Sequence, residues 1–148
     1  MFLNIVRAQA LRYPRVMATT IFINLPVRNV AASRAFFEAM GFTIDEKFSN
    51  EVAACVSVSE SIYLMVLDHP TFATFTTKSI IDAATSTGAI VAFGLDSREE
   101  VDALADLALA AGGSHFRAPE DQGFMYGRSF QDLDGNLFEV FHMDPLEI

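Results

Sequence analysis

Gly123-Phe124-Met125-Tyr126-Gly127-Arg128-Ser129-Phe130-Gln131-Asp132-Leu133-Asp134-Gly135-Asn136-Leu137-Phe138-Glu139-Val140-Phe141 places two short runs of aromatic and branched residues on either side of Asp132-Leu133-Asp134-Gly135-Asn136. Asp-Gly between such runs signals a hairpin, because the turn needs positive φ. Strands are expected at about 124–131 and 137–143. Glu139 then falls inside the second strand, between Phe138 and Val140. An acid among apolar neighbours has to be paired, protonated or bound to something positive.

Working upstream, residues 89–95 read as a buried strand. Ser97 and Glu100 form a capping box that opens a helix to about residue 111. Val101, Leu104, Ala105, Leu107 and Ala108 give that helix an apolar stripe. Gly112-Gly113 ends it, and a strand is expected at about 114–118. The same order appears earlier in the chain. Residues 19–27 are β-prone, and Asn29 is a good N-cap for a helix over 30–40, stopped by Gly41. Strands at 42–48, 51–58 and 61–67 follow, with turns at Ser49-Asn50 and Glu60-Ser61.

The pattern is strand, helix, three strands, twice over, which is an α+β fold of two βαβββ modules. The expected units are 17–67 and 88–148, joined by a polar connection or lid over 68–87 with a short helix at 72–75. Residues 1–16 carry Arg7, Arg12 and Arg15 without acids and are read as an extension upstream of Met17. Neither half can close a core alone. Two curled half-sheets around a cleft form a default small-molecule site.

Net charge is −9, which disfavours nucleic acid and anionic membranes, both of which select basic patches. No apolar run reaches the ~20 residues of a membrane span. Cys55 stands alone in an apolar run without an adjoining cation. It reads as a small core residue rather than a nucleophile, and a reducing, cytoplasmic setting is expected. His69, His115 and His142 share no metal-binding spacing.

The motifs together resemble the vicinal oxygen chelate superfamily of glyoxalases, bleomycin-resistance proteins and extradiol dioxygenases. Three pieces carry the resemblance: Asn24-Leu25-Pro26-Val27 with Ser33-Arg34-Ala35-Phe36-Phe37 and Gly41-Phe42; Ala110-Ala111-Gly112-Gly113; and the Asp132–Asn136 turn leading to Glu139. It implies a homodimer, and for enzymes a divalent metal held by one residue from each of four strands. Matched along the motifs, those positions fall on Phe22, Leu64, Ile90 and Glu139. Only Glu139 is a ligand type, since Phe, Leu and Ile offer no lone pair.

The function expected is therefore binding of a small organic molecule in a cleft without metal or cofactor. Phe22, Leu64, Ile90, Phe130 and Phe141 would wall it, and Asn24, Tyr126, Arg128 and Glu139 would be its polar points. The acidic balance suits a cationic aromatic ligand. Glu139 has a second reading, an ion pair to an arginine such as Arg128 across the hairpin. An alternative activity is a metal-dependent lyase, isomerase or dioxygenase using Glu139. A third is a structural or regulatory subunit whose own side chains fill the cleft.

Overall fold

A computed structural model describes residues 19–145. The extension expected at 1–16 lies outside the described residues. In chain order the elements are β1 (Ile21–Val27), α1 (Val30–Ala39), β2 (Thr43–Asp45), a 3₁₀ turn (Glu46–Phe48), β3 (Ala53–Ser57) and β4 (Ile62–Asp68). They continue with α2 (His69–Ala73), β5 (Ile90–Gly94), α3 (Arg98–Ala110), β6 (Ser114–His115), β7 (Glu120–Asp121), β8 (Met125–Gln131) and β9 (Leu137–Met143).

The strands form two sheets of matching design. The first has the order β1-β4-β3-β2; the second has β5-β9-β8-β6, with β7 also on β8. In each, the strand before the helix pairs in parallel with the last strand of its half, and the other pairs are antiparallel.

Local chemistry sets these boundaries. The Asn29 side chain accepts from the Ala32 amide at 2.9 Å, and Ser97 Oγ accepts from Glu100 at 3.2 Å. Each thereby satisfies one of the orphan donors of a first helical turn. Glu100 reaches back past the cap to the Asp96 amide, at 3.0 Å. The short connecting helix starts three residues earlier than expected, because Asp68 caps it through the Thr71 amide at 2.8 Å. The strand expected at 114–118 is cut to β6 at 114–115, and β7 at 120–121 is a further short strand beyond it. Pro119, just before β7, has no N–H to give the ladder.

One hydrophobic core serves both halves. It takes Leu25, Val27, Leu64 and Val66 from the first sheet and Val91, Phe93, Phe138 and Val140 from the second. Phe36 and Phe37 of α1 and Val101 and Ala105 of α3 join it. Phe37 meets Phe138 edge-on with ring centroids 5.9 Å apart, and Phe42 meets Phe93 at 6.3 Å. Such aromatic pairs join the halves through the shared core.

The Asp132–Asn136 turn forms a second junction. Asp132 accepts from the Asp134 amide at 2.9 Å, the Asn136 amide at 2.9 Å and the Asn136 side chain at 2.8 Å. Burial nonetheless pushes its carboxyl above the usual carboxylate range. Asp134 turns outward to Arg28 at the end of β1, accepting from its backbone N–H at 2.8 Å and from Nε at 3.1 Å. Gly135 has φ 98°, and a Cβ there would stand 2.6 Å from the Ala83 carbonyl oxygen. Only glycine lets the turn seat against the connection. Among the described residues, no helix is long and apolar enough to cross a membrane.

Candidate functional site

Strand alternation gives each sheet one face toward the helices and one open face. On the open face of the first sheet, register places Phe22 beside Tyr63 and Asn24 beside Met65. The Phe22 and Tyr63 rings stack at 4.8 Å with an interplanar angle of 11°. Phe22 is half exposed, so one face of this aromatic pair is available to a ligand. The Asn24 amide makes only a long 3.5 Å contact to the Phe22 carbonyl and stays exposed.

On the open face of the second sheet, Glu139 sits between Ala92 of β5 and Ser129 of β8. Both neighbours are small, so the carboxylate stands clear of the sheet. Arg117, from the break between β6 and β7, donates to Glu139 Oε1 through Nη2. Arg117, Glu120, Met125, Glu139, Phe141 and Met143 line a cavity of about 210 Å³. Ser129 Oγ, directly across the ladder from Glu139, is buried and has no hydrogen-bond partner among the described residues. A buried hydroxyl without a partner costs free energy and marks a place where a bound molecule could supply one.

Several expected site residues lie elsewhere. Leu64 is one register step from the open positions Tyr63 and Met65, points into the core and is fully buried. Phe130 is likewise fully buried and stacks on Phe138 at 5.3 Å. Tyr126 and Arg128 occupy the helix side of β8, although Arg128 also borders the cavity of about 210 Å³. The Tyr126 hydroxyl donates to Asp102 Oδ1 at 2.7 Å. Arg128 Nη1 donates to Asp102 at 3.1 Å and Asp106 at 2.8 Å. These bonds fasten α3 to its sheet. The Tyr126 hydroxyl, followed by Arg128, holds the Asp102 carboxyl below its usual value.

The hairpin register explains why Arg128 does not meet Glu139. Arg128 lies opposite Val140, and Glu139 lies opposite Ser129, so the two charges are on opposite faces. An arginine does pair with Glu139, but it is Arg117, 22 residues away. Phe22, Asn24, Ile90, Glu139 and Phe141 remain on open faces. Tyr63, Met65, Arg117 and Ser129 complete these faces and were not singled out from the sequence. Alternation with Glu139 across the hairpin was the available signal for Ser129; Tyr63 and Met65 lie in a strand apolar on both faces, and Arg117 lies outside any strand.

The donor set does not fit a metal. Of the four positions the family resemblance implies, Phe22 and Ile90 are apolar, Leu64 is in the core, and Glu139 is ion-paired. Among the described residues no group of three or more His, Cys, Asp or Glu is placed to hold a metal ion. Cys55 is buried, and desolvation raises its thiol pKa, which suits a packing residue rather than a thiolate ligand.

Comparison with known proteins agrees with this architecture. A hypothetical protein from S. aureus superposes with TM-score 0.71 at 24% identity, covering 85% of this chain and 94% of its own. A glyoxalase/bleomycin resistance protein/dioxygenase family enzyme from Burkholderia phytofirmans gives TM-score 0.69 at 22% identity, covering 85% and 99%. The bleomycin resistance determinant encoded on transposon Tn5 gives 0.61 at 21% identity, covering 87% and 100%. No curated protein sequence matches the chain. The family model described as Glyoxalase/Bleomycin resistance protein/Dioxygenase superfamily matches residues 19–140. Carried by that match and by the paired βαβββ sheets beneath it, this chain belongs to the glyoxalase/bleomycin resistance protein/dioxygenase superfamily.

Proposed function

We propose that the protein binds a small planar organic molecule on the open faces of its sheets and needs no metal to do so. The observation that carries this reading is the exposed Phe22–Tyr63 stack, standing where the family resemblance implies a metal ligand. A stacked ring pair offers a π-face to a ligand but no lone pair to a cation such as Zn²⁺. Arg117 lies between two acids, Glu139 and Glu120, the latter 4.0 Å away, so the second open face offers a polar, mildly acidic patch beside the rings of the first. The fold is shared with a bleomycin resistance determinant, in keeping with a binding role.

A homodimer is part of the proposal. Phe22 and Ile90 are each about half exposed, at 49% and 52%, and Met143 is 44% exposed. A second copy laid over these faces would bury them and close the cleft. Light scattering should then give twice the chain mass.

The test is calorimetric titration with a planar aromatic probe such as quinoline, before and after treatment with EDTA, together with metal analysis by plasma mass spectrometry. Binding should survive chelation and be lost in Phe22→Ala. Near-stoichiometric metal, or binding that disappears with EDTA, would overturn the reading.

A further inference from the structure

We propose a second ligand site, for a small amphipathic monocarboxylate, in the seam between the two sheets. β1 and β5 are the end strands of their sheets. The segment from α2 to residue 89 runs past both and roofs a cavity of about 400 Å³. That volume lies within the range of small-molecule pockets. Ile23 and Leu25 of β1, Val91 of β5 and Leu137 of β9 supply apolar walls, and Phe72 and Ile81 supply the apolar part of the roof. Phe22, Tyr63 and Glu139 take no part in it; Asn24 is the one open-face site residue that also borders it.

The charge pattern selects the occupant. None of the described acidic residues lines this cavity. The one charged side chain that does is Lys78. The five described arginines, Arg28, Arg34, Arg98, Arg117 and Arg128, are all ion-paired. Lys78 has no ion pair among the described residues. Its backbone N–H donates to Thr76 Oγ1 at 3.1 Å, which fixes the turn that carries it. Thr76, Ser79, Ser86 and Thr87 also line the cavity. A largely apolar cavity lined by one lysine without an ion pair and by several hydroxyl-bearing residues matches a ligand with a hydrocarbon body and one carboxylate. The body gains by leaving water, and the carboxylate gains charge-assisted hydrogen bonds.

Titration calorimetry on the full chain tests this with three eight-carbon probes: octanoate, octanol and octylamine. Octanoate should bind one to one, about tenfold tighter than octanol, the usual worth of a hydrogen bond to a charged group. Octylamine should not bind. Lys78→Gln should erase the preference for octanoate, and Lys78→Glu, on the same exposed connection, should turn it toward octylamine. Ala89→Trp should fill the chamber and abolish octanoate binding, whereas Phe22→Ala should leave it unchanged. Circular dichroism confirms that each variant folds. Absence of octanoate binding, equal affinity for octanoate and octanol, or binding that persists in Ala89→Trp and disappears in Phe22→Ala would overturn the proposal. Loss of quinoline binding on the open faces would not bear on it, so the two sites fail separately.

Discussion

On their helix sides the two sheets are alike: Leu25, Val27, Leu64 and Val66 in the first match Val91, Phe93, Phe138 and Val140 in the second, all buried. On their open sides they part company. The first carries a stacked Phe22–Tyr63 pair, and the second carries an arginine-bound glutamate over small neighbours. The helix sides face one another's side chains, so a change in either half is felt by both. The open sides have no such reciprocal constraint and are free to carry different chemistry. The duplicated pattern therefore describes the packing, and the departures from it mark where a ligand is met.

The most forceful way to break that contrast is Phe138→Ala. Phe138 touches Phe37, Phe93 and Phe130, and its loss should cost about 3–5 kcal/mol. Urea unfolding should show this as an earlier single transition. Two separate transitions would mean that the halves are independent and that the shared core is not what joins them. Asp134→Ala removes both acceptor bonds to Arg28 and should cost about 1–3 kcal/mol by the same measurement. An unchanged midpoint would reduce the turn to decoration of the hairpin.

Acid sharpens the comparison within the second half. The Asp102 carboxyl has a folded pKa below its ordinary value, through Tyr126 and then Arg128. Its contribution is present above the unfolded value near 3.8 and fades as pH falls through the lower folded value. Asp132 has the opposite sign: burial raises its pKa, so its contribution is full below the unfolded value and is lost as pH rises through the folded one. Stability measured against pH should therefore lose part of its acid limb in Asp102→Asn; an unchanged limb would show that α3 is held by packing alone. The smallest effect is expected from Glu139→Gln. Its ion pair with Arg117 is partly exposed on both sides, so stability should move by less than about 1 kcal/mol. A larger loss, read by thermal denaturation, would make Glu139 a structural residue and blur the distinction between the two faces.

Much of this fold was legible because local signals agreed with the global one. Asn29, Gly41, Ser97, Gly112 and the Asp132–Asn136 turn each punctuate the chain where an element ends, and β9 runs over Leu137–Met143 as the pattern implied. The site was less legible, for two physical reasons. β4 reads Ile62-Tyr63-Leu64-Met65-Val66-Leu67, apolar on both faces, so alternation could not say that Leu64 points inward and Tyr63 outward. The β8–β9 register was the second difficulty. A shift of one residue moves Arg128 to the other face, and what fixed it there was a pair of acids on α3, Asp102 and Asp106, that no hairpin argument contains. Arg117 was out of reach altogether, since it acts from an irregular break in the chain.

The Arg28–Asp134 clasp joins residues 106 positions apart, and its consequence lies in the order of synthesis. A ribosome exposes α1 long before it makes the hairpin that covers it. During that interval the aromatic pair Phe36 and Phe37 has no cover from the second half, and the nascent chain presents an adhesive surface. Completion of the last hairpin both quenches that surface and locks it in place. Folding of this protein should accordingly be a late, concerted event, and the earlier half on its own should be a client for chaperones rather than a stable product.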